Sequence, residues 1–447
     1  MPQALVIQSV DSLERSNYAP GLVVNFPAEI VTWLKSRMLV DDTPAVVAAA
    51  IAAGATQVVH RPNYSAKSGA MPKTSQAIAM VLAGLAQAFV GGFGDSTELG
   101  TGAGTGVKGL IGAAAGRPSA QMAAYLASVG IPAADNSFFG EGFIQAFPPN
   151  MQFSDFDSRF RWIAGASHYP NGQQTSLGGV MGRANGVGLG VGFTPTYPCE
   201  PTRNIIYDTV RVVYCDRTTG SITVSNPGGG SVASTITTDG TFKVKVATVS
   251  LTRGSGECQI LCASGDVWII GATFYDSQIP RVNIMSFGQY GDKLTSATGA
   301  VKNTNEWRGG AVLAQLGLDA CWFDMTLNSY GDGLAGVSAF SDALRSIVKE
   351  VAAAGTETVI ASPHAVGTGN QGTVSNAYVQ AARQVTSETG SQFHDVYKRL
   401  TPYAAYSATH IFGGDGTTLH LSAGGNHAKG VLRARFLLNA TGHNPVE

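Results

Sequence analysis

Apolar positions recur with two different periods along this chain, and the change of period marks its organisation. Residues 75–93, "SQAIAMVLAGLAQAFVGGF", carry no charge. Their glutamines, their glycines and their abrupt end in "GDS" predict a helix, a break near Gln87 and a buried strand rather than a membrane span. A second helix is predicted over "PSAQMAAYLASVG", opening at Pro118, whose fixed φ suits a first helical turn. From about residue 146 to 278 the period shortens to two. In "TFKVKVATV", Phe242, Val244 and Val246 share one face while Lys243 and Lys245 share the other. "RVVYCD", "SITVS" and "DVWIIGATFYD" continue as short strands, "NPGGG" reads as a turn, and helical spacing is nearly absent. This predicts a β-sandwich.

After Pro280 the runs "RVNIMSF", "LDACWFDMTL", "ETVIAS" and "QFHDVY" return, and "SAFSDALRSIVKEVAAAG" and "NAYVQAARQVTSETG" lie as helices between the last three. Strands alternating with helices imply an α/β domain with a parallel sheet and helices on both faces. The sandwich is then an insertion into it. Residues 1–72 predict a small α+β module: "GLVVNF" reads as a strand, and "PAEIVTWLKSRM" and "DDTPAVVAAAIAAG" as helices entered through proline. The expected division is therefore 1–72, a core of 75–145 with 280–447, and an insertion of 146–279.

The 447 residues suffice for about two to four domains. A net charge of −1, with 13% of residues charged, provides no basic surface, so nucleic acid is not expected as a partner. Cys199, Cys215, Cys258, Cys262 and Cys321 have no paired spacing and read as buried small hydrophobes rather than a disulfide framework or zinc site. His60, His168, His410 and His443 show no ligand-like pairing, so neither a metal nor a cofactor is expected. The stretch "GTGAGTGVKG" contains a formal GxGxxG at Gly104, Gly106 and Gly109. It lacks the strand directly before and the helix directly after that a dinucleotide site needs, and it reads instead as a lid beside Ser96. "MPQALVIQSVDSLERS" has no basic region followed by an apolar core, so no secretory signal is expected.

In open α/β sheets, reactive groups gather at the carboxyl ends of strands. Ser96 follows the first strand, "SFGQYGD" with Gly291 follows "RVNIM", Asn328 follows "CWFDMTL", and "GGDGTTLHLS" with His420 precedes the last helix. These four blocks, in this order, resemble those of the SGNH (GDSL-type) hydrolase superfamily. The resemblance covers about residues 75–145 and 280–440 and implies a flavodoxin-like core. It also implies Ser96 as nucleophile, His420 as base, and an oxyanion hole from the Ser96 and Gly291 backbone N–H groups with the Asn328 side-chain amide. Asp415 would be the acid that orients His420. It lies five residues before the histidine, whereas the family places its acid three before, where this chain has Thr417. Asp415 therefore serves only if residues 416 and 417 bulge outward, and a Ser–His dyad held by a backbone carbonyl or water is the alternative. In the third block Ser329 stands where the family has an aspartate.

Other histidines are assigned lesser parts. His364 is expected to line the cleft as a substrate contact, His427 to lie within the last helix, and His394 with Asp395 to be structural. In the insertion, Trp162, Tyr169, Tyr197, Tyr207 and Tyr214 offer rings that either stack on sugars or fill the sandwich core. The arrangement resembles carbohydrate O-acetylesterases with a jelly-roll-like, carbohydrate-binding-like insertion, and also esterase-type tail proteins of bacteriophages and prophages. The resemblance implies an acetylated polysaccharide as substrate, no membrane partner, and a homo-oligomer or virion tail engaged through the N-terminal module. Virion association or release by lysis, with a cytoplasmic location as the alternative, goes with it. Acyl transfer to a sugar alcohol, or a polysaccharide-binding adhesin whose core has lost activity, remain open beside ester hydrolysis.

Overall fold

The computed structural model describes residues 3–6, 10–13, 16–18, 23–25, 40–41, 44–52, 57–59, 69–106, 109–139, 153–164, 167–169, 181–197, 200–230, 233–289, 291–295, 309–324, 327–364, 372–399 and 419–443. Six strands form a parallel sheet: β1 (Ala88–Gly94), β2 (Ala133–Ala134), β3 (Val282–Gly288), β4 (Ala320–Asp324), β5 (Glu357–Ala361) and β6 (Gln392–His394). Their order across the sheet is β6-β5-β4-β1-β3-β2. The four inner strands, β5, β4, β1 and β3, split their side chains between two cores. Val90, Ile284, Trp322 and Val359 enter one, and Phe93, Phe287, Phe323 and Ile360 the other. The first face is covered by helices α1 (Pro72–Leu82), α2 (Pro118–Ser128) and α5 (Ala423–Thr441), through Ile78, Leu126 and Leu437 among others. The second is covered by α3 (Val337–Ala353) and α4 (Thr373–Thr389), through Phe340, Ile347 and Tyr378.

Local rules set the helix ends. Pro118 occupies the first turn of α2, and Arg117 before it is extended, as the residue preceding a proline must be. Ser422 caps α5 by accepting the Gly425 N–H at 3.2 Å, and Gly442 ends that helix at φ +77°.

Between Ser137 and Tyr275 the described strands are antiparallel and form two large sheets, of five and six strands, and one two-stranded pair, Thr196–Tyr197 with Glu200–Asn204. A five-stranded sheet runs Phe160–Ile163, Gly190–Phe193, Cys258–Ser264, Thr219–Ser225, Ser234–Asp239. The second sheet centres on Tyr207–Asp216 and Val267–Tyr275 and begins with Ser137–Phe139, ahead of residue 146. Phe160, Phe193 and Ile260 of the first share a core with Val212, Tyr214 and Phe274 of the second.

The opposite face of the second sheet contributes Val213, Cys215, Trp268 and Ile270 to the core beside the parallel sheet. Val267 and Ile269 reach the core between the two antiparallel sheets together with Ala272 and Phe274, of the opposite parity, because of a bulge: Val213 pairs with Gly271 and Tyr214 with Ile269, leaving Ile270 extra. Phe242, Val244 and Val246 do share one face, and it is the face turned toward the α/β core. Lys245 on the other face reaches Asp216 at 2.8 Å and also Asp239. Cys215, Cys258, Cys262 and Cys321 are buried free thiols.

Among residues 1–72, a four-stranded sheet is ordered Val40–Asp41, Gln3–Val6, Val23–Asn25, Gln57–Val59, accompanied by the helix Pro44–Ala52. The expected helix at 27–38 lies outside the described residues. Among the described residues, no helix is long and apolar enough to cross a membrane.

Candidate active site

Strand β1 ends in Gly94, and the chain turns at once into a short helix, Ser96–Leu99. Asp95 caps it by accepting the Thr97 N–H at 2.9 Å. Small residues beneath make the turn possible. A Cβ on Gly92 would lie 2.2 Å from Glu98 Oε1, and one on Gly288 of β3 would lie 2.2 Å from the Leu99 nitrogen. The short helix thus settles onto the carboxyl ends of β1 and β3 with Ser96 at its first position.

His420 comes from the segment that leads into α5. Its Nε2 lies 2.8 Å from Ser96 Oγ, and both residues are buried. Two contacts fix that segment. Gly102, at φ +92°, lets the glycine-rich loop run against it, since a Cβ there would lie 2.2 Å from the Leu421 carbonyl oxygen and 3.3 Å from His420 Cβ. On the other side, His364 Nε2 lies 2.8 Å from the Leu419 carbonyl oxygen. A carbonyl only accepts, so Nε2 carries the proton. Burial, reinforced by the Lys429 charge, pushes the His364 pKa down to about 3, so the ring is neutral. His364 is fully buried, and it touches the backbone before His420 rather than the wall of an open cleft.

The glycine-rich loop also differs from a lid. Thr105 and Ile111 exchange backbone hydrogen bonds at 2.9 and 2.8 Å, and Gly104 donates to the Gly109 carbonyl at 2.9 Å. Its glycines allow close backbone packing, which sequence spacing alone does not distinguish from flexibility.

The loops after β3 and β4 join the same end of the sheet. Gln289 N–H donates to the Gly94 carbonyl at 3.0 Å, and Gly291 follows at φ +71°. Asn328 lies in the 3-10 helix Leu327–Asp332, and its Nδ2 donates to the Asp292 carbonyl at 2.7 Å, tying the two loops together. Ser96, His420, Gly291 and Asn328 are therefore gathered at the carboxyl end of the parallel sheet. Asp415 lies outside the described residues. His427 on α5 is exposed and pairs its Nδ1 with Gln121 Oε1 at 2.6 Å, away from Ser96. His394 and Asp395 are buried, with His394 against the Phe436 ring and Asp395 paired to Arg383.

Of the five aromatics considered as sugar contacts, Tyr207 and Tyr214 are buried in the core shared by the two antiparallel sheets, which removes them as sugar platforms. Trp162 is half-buried on the edge strand Phe160–Ile163, with its ring edge-on to Phe160 at 5.0 Å. Tyr169 ends the edge strand Ser167–Tyr169 of the other sheet. Arg203 lies over the Tyr197 ring at 4.3 Å.

Beneath the short helix is a charged cluster that sequence reading missed. Asp95, Glu98 and Asp324 face Lys429 and Arg433, and all five are buried. Arg433 bridges Glu98 at 2.5 Å and Asp324 at 2.8 Å, while Lys429 pairs with Asp324 and donates to Thr97 Oγ1 at 3.0 Å. Burial would raise the Asp324 carboxyl, yet Lys429 and Arg433 hold it below the usual carboxylate range. Asp95 moves the other way: burial and then the Asp324 charge push it up to about 7. The available signals were Asp324 closing the apolar run "ACWFD", and Lys429 with Arg433 four residues apart on one helix face. Among the described residues, no three His, Cys, Asp or Glu side chains converge as they would on a metal ion.

A solved structure of a peptidoglycan O-acetylesterase aligns with 85% of this chain and 98% of its own, with a TM-score of 0.62 at 14% identity. The two chains share a fold. A family two carbohydrate esterase from Cellvibrio japonicus matches 64% of this chain and 96% of its own, with 9% identity and a TM-score of 0.28. A catalytic variant of an acetylxylan esterase from Geobacillus stearothermophilus matches 37% and 75%, with 16% identity and a TM-score of 0.28. No protein-family model matches the chain, and no curated protein matches it in sequence.

Proposed function

We propose that this protein is a serine esterase that removes O-acetyl or other short acyl groups, with an acetylated bacterial surface polysaccharide as its substrate. The observation that carries this reading is the buried 2.8 Å contact between Ser96 Oγ and His420 Nε2, at a strand-to-helix turn over the carboxyl end of a parallel sheet. The fold shared with a peptidoglycan O-acetylesterase is consistent with it.

In this mechanism Ser96 Oγ attacks the ester carbonyl carbon while its proton passes to His420 Nε2. The ester C–O bond then breaks, and the alcohol leaves with that proton. Water repeats the sequence on the acyl-enzyme, releasing the acid and restoring Ser96. The Ser96 and Gly291 N–H groups and the Asn328 amide are the donors for the tetrahedral oxyanion. One Asn328 amide hydrogen is committed to Asp292, which leaves the other for this purpose. Asp415 is the proposed orienting acid. The two antiparallel sheets are read as an inserted sandwich that holds an extended substrate, with Trp162 and Tyr169 on its edge strands as the candidate contacts.

The test is release of p-nitrophenol from p-nitrophenyl acetate, and of acetate from an O-acetylated polysaccharide, by the intact protein and by Ser96→Ala. Turnover that falls by at least ~10³ with the substitution supports the reading. Turnover that survives in Ser96→Ala, or an inert parent protein, removes it.

A further inference from the structure

The esterase mechanism uses Ser96 and His420 but gives no part to the buried cations on the helix behind them. Helix α5 begins just after His420, and Lys429 lies about two turns along it. The Lys429 side chain is completely buried. Its Nζ donates to Thr97 Oγ1 at 3.0 Å, on the residue after the nucleophile, and pairs with Asp324 Oδ2 at the end of β4. Asp324 is tied back to the same turn, because its carbonyl accepts the Asp95 N–H at 3.4 Å. A buried lysine is costly unless it is paired and hydrogen-bonded, and here its partners join three separate elements.

We propose that Lys429 is a positioning residue that couples the turn carrying Ser96 to the helix introduced by His420. Neither Lys429 nor Thr97 touches the reacting atoms. What they set is the separation of the two groups that do. Without the link, α5 and the short helix Ser96–Leu99 are free to shift against each other, and the Ser96–His420 contact lengthens. Ester groups bind as before, so the loss falls on kcat and not on KM. Lysine suits this place because its compact ammonium can donate to a hydroxyl and a carboxylate at once, whereas the planar guanidinium of Arg433 is engaged by the Glu98 and Asp324 carboxylates.

The kinetic part of this inference rests on the esterase reading, and the experiment keeps the two apart. Thr97→Val removes, with almost no change of volume, the hydroxyl that accepts from Lys429 and also bonds the Asp95 carboxylate, and Lys429→Met removes the donor, so the double variant isolates the Lys429–Thr97 link. Each is expected to lower kcat on p-nitrophenyl acetate about tenfold or more with KM within about twofold, and the double variant to be no slower than Lys429→Met. A folded Thr97→Val protein with unchanged kcat overturns the proposal, and so do single effects that multiply in the double variant. Should Lys429→Met fail to fold, Thr97→Val alone decides. If the parent protein shows no Ser96-dependent turnover, the esterase reading falls. The link is then judged by melting temperatures of the four proteins, where shifts that fail to add uphold it and additive shifts overturn it.

Discussion

At Gly102 the backbone takes φ +92°, and an added Cβ would lie 2.2 Å from the Leu421 carbonyl oxygen. Alanine there meets strain from both the dihedral angle and the contact. The obvious relief is for the 420–421 segment to move away from the loop, carrying His420 with it. In the proposed mechanism His420 is the base, and a displacement on the order of 1 Å at such a group costs roughly 10² in rate, so Gly102→Ala is expected to lose about that factor in kcat while KM holds. Steady-state kinetics, with near-UV circular dichroism to check folding, measure it; a variant with parental kcat would mean the loop does not set the position of His420. The glycine pattern was visible in the sequence and suggested mobility. The packing that gives Gly102 its part involves residues more than 300 positions away, which no local pattern encodes.

The short helix Ser96–Leu99 is an element whose stability depends on pH through its cap. Unfolded, the Asp95 carboxyl ionises near 3.8; folded, burial and the Asp324 charge raise it to about 7. Between these values the folded protein holds a proton that the unfolded chain has released. The contribution of Asp95 is therefore fully present below about pH 4 and is lost as pH rises through about 7. The groups around it are Asp324 from β4, Tyr330 from the following 3-10 helix, Lys429 from α5 and Thr97 on its own turn. Asparagine at 95 keeps an oxygen for the Thr97 N–H and never ionises. Asp95→Asn is expected to gain in melting temperature over the parent as pH is raised from 4 to 8, with most of the gain below about 7. Parallel curves for the two proteins would show that Asp95 does not take up a proton in this range. His364 works oppositely, stabilising above its unfolded value of 6.5 and losing that effect toward 3, but it is common to both proteins and cancels in the comparison.

At this scale sequence reading does well where an element is amphipathic or punctuated. Proline at the start of α2, and the helices between the last strands, follow from it. It fails where charge is buried, because Glu98, Asp324, Lys429 and Arg433 look like ordinary solvated residues until the fold pairs them.

Across the whole molecule, the six-stranded antiparallel sheet has no free face in its central strands. Val267–Tyr275 is buried from Val267 through Phe274, with Ile269 and Phe274 toward the five-stranded sheet and Trp268 and Ile270 toward the α/β core. This is also why "DVWIIGATFYD" has no clean alternation, since a strand covered on both sides loses the polar half of its pattern. The contact with the parallel sheet is broad. Phe139 stacks edge-on against Phe287 at 4.7 Å, Phe89 against Tyr275 at 5.6 Å, and Arg211 donates to the Leu316 carbonyl at 2.6 Å. A sheet joined to the parallel sheet only through its connecting segments would open by itself. This sheet instead shares a core with the parallel sheet, so its loss would uncover Met285, Phe287 and Leu313. The two parts are therefore expected to unfold together. Hydrogen exchange in sub-denaturing urea, followed by mass spectrometry, is expected to release amides in residues 207–216 and 282–288 with the same urea dependence. Trp268→Ala, which empties a buried site between them, is expected to cost about 3–5 kcal/mol and lower protection in both segments alike. Protection lost in 207–216 while 282–288 stays closed would make the antiparallel sheets an independent folding unit.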